Sequence, residues 1–178
     1  MQKTCVLLFA ALLWTIGSLA QTSSSNGATP QHQMMNYFQG NWKIEGTMKV
    51  NPKDKPLPFT VTESSNWVNG GFFLETHSQL QGPLGGINIV RVMEYNPQKQ
   101  AYAYNAYNSM GEHVVAVGQL QGNDWIWQSV ANLDGFDVKG RWTFTYVSPT
   151  SYKFKQERAT PSGGWDVIME GVATRNAS

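Results

Sequence analysis

The residues best equipped for chemistry sit in the stretch QAYAYNAYNSMGEHVVAVGQLQG, from Gln100 to Gly122, and in two shorter ones around Glu63 and Glu75. If these stretches are strands, Tyr102, Tyr104 and Asn108 share one face, and Asn105 and Tyr107 the other. Beyond the Ser109–Gly111 turn, His113 has the parity of Val115 and Val117, which predicts an inward imidazole. An inward Tyr–Asn–His cluster orients a polar ligand head or moves a proton. The same tips at a strand end do neither and bond only to turns and water. Glu63 shares a face with Ser65, and Glu75 with His77, at positions within side-chain reach of each other. Glu63, Glu75, His77 and His113 are therefore the candidate acid–base groups for an isomerase, cyclase or hydrolase type of reaction. No Gly-x-Ser-x-Gly elbow is present.

The histidines His32, His77 and His113 stand apart, without a His-x-His, a His-x-x-x-His or a cysteine pair, and no metal site is expected. No cofactor is expected either; haem would require an inward His77 or His113 as axial ligand.

Positioning such groups falls to strands. From NWKIEGTMKV onward the apolar residues alternate with polar ones, and the breaks NGG, GPLGG, NPQK, NLDG, SPT and PSGG carry turn chemistry. About ten strands at even spacing with short connections predict an all-β, up-and-down antiparallel barrel, because closure removes the two sticky edges of an open sheet. One short helix is predicted before them, in PQHQMMNYFQG, with Met34, Met35 and Phe38 at helical spacing and Gly40 ending it.

The parity of each strand predicts its inner face. Trp42, Ile44, Met48 and Val50 point inward on the first strand; Phe59, Glu63, Ser65 and Trp67 do so on the second, with Val61. Tyr152, Phe154, Gln156 and Arg158 share an inner face that leaves Lys153, Lys155 and Glu157 to water, and Trp165, Val167 and Met169 close the list. Apolar walls with isolated polar groups are what small-molecule pockets are made of, and they are also what filled cores are made of. Tyr104, Asn108, His113 and Trp67 are the candidate ligand contacts.

Residues 1–20 are expected to leave the fold. Lys3 precedes the apolar run VLLFAALLWTIG, and small residues at Ser18 and Ala20 follow, which is signal-peptide patterning with cleavage after Ala20. The expected destination is the periplasm or the exterior. The run is too short for a stable span. The one cysteine, Cys5, is expected to leave with residues 1–20, so the mature chain is expected to hold together by burial alone. Residues 21–30 read as a flexible leader and 31–178 as a single domain. With 13 Lys+Arg against 12 Asp+Glu, the chain has no charge excess for nucleic acid. A monomer or weak homodimer without membrane insertion is expected.

Four segments, MMNYFQGNWKIEGT, NWVNGGFFLETH, MEYNPQKQAYAYNAYNSMG and the closing GVATR, resemble in order and spacing the bacterial domain-of-unknown-function family 1579. The likeness runs from about Met34 to Arg175. It implies a calycin, lipocalin-like barrel and brings no established activity. In such barrels a first-strand Trp packs under a late Arg, which implies Trp42 with Arg175, or with Arg158 in another register.

These readings lead to an exported barrel that binds a small apolar or amphipathic molecule rather than an enzyme. The alternatives are a barrel enzyme using a Glu/His pair and an envelope protein whose core is filled.

Overall fold

The computed structural model describes residues 27–133 and 136–176. The expected signal segment and residues 21–26 of the expected leader lie outside the described residues. Ten antiparallel strands follow one another in chain order: β1 Gly40–Met48, β2 Leu57–Val68, β3 Phe73–Gly82, β4 Gly85–Asn96 and β5 Ala101–Asn108, then β6 His113–Gln121, β7 Asp124–Leu133, β8 Phe136–Ser148, β9 Ser151–Ala159 and β10 Trp165–Arg175. Each pairs with its sequence neighbour, and β10 returns to β1 to close the barrel. The expected fold is therefore the one the chain forms.

The closing seam runs from Trp42 opposite Arg175 to Met48 opposite Met169. Halfway along it Gly46 faces Gly171, and a Cβ on Gly46 would overlap the carbonyl oxygen of Glu170. Two glycines let these strands approach more closely than any side chain would allow.

The N-terminal segment is a short helix, α1 (Pro30–Met34), continued by a 3₁₀ turn over Met35–Phe38. It lies across one end of the barrel. Met35 and Phe38 are buried, whereas Met34 is half exposed, so the apolar stripe predicted for a longer helix is split. Phe38 meets Trp125, Phe144 and Tyr152 edge-on, and Tyr37 donates its hydroxyl to the carbonyls of Ser148 and Ser151. The hydroxyl of Tyr102 in turn donates to the Gln31 carbonyl at 3.1 Å. That end of the barrel is filled with rings, the other is not.

Parity holds on β1 through β5 and fails in two later places, each for a packing reason. On β6 the inward residues are Ala116 and Gly118, while Val115 and Val117 are more than half exposed. Trp127 on β7 lies flat over Gly118, and a Cβ there would enter its ring. The lumen at this level holds Trp125 and Trp127 and has no room for valines, so the small residues turn in. On β10 a bulge between Val167 and Met169 reverses the alternation. Met169 then faces its partner Gln156 on the inside, while Trp165 sits on the outer wall with the Arg141 guanidinium 4.3 Å from its ring centre. Glu157 was expected in water and is buried on that same outer wall, held by Arg141 at 2.7 Å and Lys155 at 3.2 Å.

Candidate functional site

Above the aromatic plug the lumen stays open, as a cavity of about 360 Å³. Its wall is mostly apolar, with Ile44, Val61, Leu80, Ile87 and Met169 supplied by inner strand positions and rings such as Phe59, Trp142 and Phe154 among them. The alternation that buries these side chains also brings polar ones inside, among them Glu63 from β2, Ser78 from β3, Arg91 from β4 and Tyr104 from β5. Glu63 lies opposite Trp42 in the β1–β2 register, so this polar group forms the floor between plug and cavity.

The floor is a network. Arg91 Nη2 donates to Glu63 Oε2 at 3.2 Å, and the Ser78 hydroxyl donates to Glu63 Oε1 at 3.0 Å. Both charged side chains are more than nine-tenths buried. Arg91 Nε is buried without a hydrogen-bond partner. The guanidinium carbon lies 5.7 Å from the Tyr104 ring centre. Just below, Ser65 and Thr76 share a hydroxyl–hydroxyl bond of 2.8 Å.

Burial opposes the charge of Arg91, but the Glu63 carboxylate beside it overrides that and holds the guanidinium firmly protonated. Burial drives the Tyr104 phenol up, with Arg91 drawing it partly back. Burial also drives the Tyr152 phenol well up, and the negative charge of Glu63 adds to it. Both phenols therefore keep their protons at neutral pH and remain available as donors into the cavity that they line.

Of the residues singled out from the sequence, Glu63 and Tyr104 line the cavity, and Asn108 reaches its rim. The Asn108 side chain is occupied there: its Oδ1 accepts the amides of Met110 and Glu112 at 3.0 Å each, which clamps the β5–β6 turn. His113 is a correction. It stands exposed on the outer wall, stacked on Tyr107 with centroids 4.3 Å apart, because β6 turns its small residues inward. Trp67 is a second correction. It packs at the plugged end and donates its indole N–H to Asn36 Oδ1 at 2.6 Å, away from the cavity. Glu75 and His77 do meet, at 2.8 Å, but on the outer wall. No histidine lines the cavity, so the candidate Glu/His groups do not assemble around it. Trp42 lies beneath Arg175, whose guanidinium carbon is 4.4 Å from the ring centre.

Arg91, Ser78 and Tyr152 were not singled out as site residues. Arg91 had a signal in the sequence: in INIVRVMEY it shares parity with Ile87, Ile89, Met93 and Tyr95, and a charge on an apolar face needs a buried partner. Glu63 on its own apolar face was that partner.

A family model described as "Protein of unknown function (DUF1579)" matches residues 27–175. No curated protein matches the chain. Among solved structures, Rv2717c from M. tuberculosis is similar in fold, with a TM-score of 0.60 and 14% identity over 84% of this chain and 99% of that one. The S-type phycobiliprotein lyase CPES from Guillardia theta is similar too, with a TM-score of 0.60 and 8% identity over 85% of this chain and 96% of that one. Identities this low speak for the architecture alone.

Proposed function

The chain belongs to the DUF1579 family, and on that premise we propose that it is a binding protein that takes a small apolar or amphipathic molecule into the barrel. The observation that carries this reading is the cavity, about 360 Å³ of space walled largely by apolar side chains above a polar floor. Its size falls within the range of small-molecule pockets, and its composition follows the same rule of apolar walls and a few placed polar groups. A core built only for stability closes such space, because each unfilled methyl-sized gap costs about 1 kcal/mol. Signal-peptide patterning in residues 1–20 supports export of this binding protein to the periplasm or the exterior. The acid–base alternative has less support, since Glu63 is tied to Ser78 and Arg91 and no histidine joins it.

The test uses phenylnaphthylamine, a neutral probe that fluoresces in apolar surroundings, titrated into the purified protein. Saturable binding is expected. Replacing Ala106, a buried lining residue, by Phe fills part of the cavity, and the affinity should fall about tenfold while unfolding stays cooperative. Absence of saturable binding to the wild-type protein, or unchanged affinity in A106F, rejects the reading.

A further inference from the structure

Resting on that reading, we propose that the ligand is a carboxylate-bearing amphiphile, with its head group on Arg91 at the cavity floor and its alkyl tail toward the open rim.

One buried donor at the cavity floor goes unanswered. Arg91 carries five N–H donors; Nη2 donates to Glu63, the Tyr104 hydroxyl oxygen lies within hydrogen-bonding reach of the guanidinium, and Nε has no partner although the side chain is more than nine-tenths buried. Tyr104 and Tyr152 add two protonated hydroxyls facing the same space. Glu63 is the only carboxylate in this network, and each of its oxygens already accepts a bond, one from Ser78 and one from Arg91. The floor thus leaves a buried guanidinium N–H unanswered, in a place where an unpaired donor is costly. A ligand carboxylate brings two acceptor oxygens and a charge that a shared guanidinium receives well. Around the whole cavity the cations Lys49, Arg91 and Arg158 outnumber the anions Glu63 and Glu112.

The remaining space sets the tail. From Ile44 near the floor to Met48 near the rim, β1 advances roughly 13 Å at about 3.3 Å per residue. The side chains lining that depth are largely apolar, and they accommodate a chain of medium length lying along the barrel. The head must lie inward, because the polar floor otherwise faces an alkyl end with its donors unanswered.

The experiment is displacement of phenylnaphthylamine from the wild-type protein at neutral pH by decanoic acid, decanol and decylamine, which share a tail and differ in the head. The acid should bind about tenfold or more tightly than the alcohol, the gain of a charge-assisted hydrogen bond. The same comparison is made in a double variant, E63Q/R91M, which removes both charges together and leaves no buried ion alone. There the ratio of acid to alcohol affinity should collapse toward one. Y152F, which removes one donor and keeps the ring, should lower the ratio severalfold. Alcohol or amine binding as tightly as the acid in the wild-type protein overturns the inference, as does a ratio that survives in a cooperatively folded E63Q/R91M. A probe that binds and is displaced equally by all three heads sinks this inference and leaves the binding protein standing; a probe that never binds removes both.

Discussion

Arg175 fastens the last strand to the first and to the plug in one move. Its guanidinium lies 4.4 Å from the Trp42 ring centre and donates to the carbonyl oxygens of Gln39 and Tyr37, the latter at 2.7 Å. Trp42 is almost wholly buried and donates its own indole N–H to the Phe38 carbonyl at 3.0 Å. The end of the 3₁₀ turn is therefore satisfied by one residue from β1 and one from β10.

R175A should cost about 2–3 kcal/mol, combining a cation–π contact with charged hydrogen bonds to two carbonyls. R175K keeps the charge but loses the planar fork, so it should recover only part of that stability. Urea unfolding midpoints of the three proteins check the order. Equal midpoints would show that the contact is ornamental.

Removing Glu63 alone leaves a buried guanidinium without its counter-ion. E63A should destabilise by about 3–5 kcal/mol, while E63Q/R91M should cost clearly less than E63A because no charge is stranded. Chemical denaturation of both variants decides it, and the comparison fails if the double variant is the weaker protein.

Gly118 lies beneath the indole of Trp127, which is fully buried. G118V forces that ring or the β6 backbone to move and should cost about 1–3 kcal/mol. A changed near-ultraviolet circular dichroism spectrum would report the displaced tryptophan, and an unaltered spectrum with full stability would contradict the packing.

His32 is buried between Phe72 and Tyr95, and its Nδ1 accepts the Thr29 amide at 3.1 Å. Burial lowers its pKa, with the charge of Glu94 opposing more weakly. The unfolded chain then binds the extra proton more readily than the folded one. Stability is full above the ordinary histidine value of about 6.5 and falls as pH drops through it toward the lower folded value. Between pH 7 and 5 the unfolding free energy of the wild-type protein should decline more steeply than that of H32Q. Parallel profiles would remove His32 from the account.

How much of this was legible depends on which forces act within a strand and which act between strands. The barrel and its strand count follow from two-residue alternation and turn residues, which are local. Glu63 was placed inward by the same rule, since Phe59 and Val61 share its parity. His113 was misplaced because β6 offers an apolar pair on each face, Val115 and Val117 on one and Val114 and Leu120, beside Ala116 and Gly118, on the other. Only the tryptophans of the neighbouring strand decide between them, and no pattern inside β6 contains that information. Trp165 was misplaced because a bulge between Val167 and Met169 puts it on the opposite face from Met169, although the two share sequence parity. The pairing of Glu63 with Arg91 crosses two strand boundaries, and each member was visible only as a charge on the wrong face.

The seam between β1 and β10 carries a kinetic consequence. Every other ladder joins strands separated by a short turn, so nine hairpins can zip locally, whereas this one must bring together segments more than a hundred residues apart. The loop entropy of ring closure falls on a single pairing. A β1–β10 contact that forms after the rate-limiting barrier governs how quickly the cylinder springs open and hardly alters how quickly it assembles.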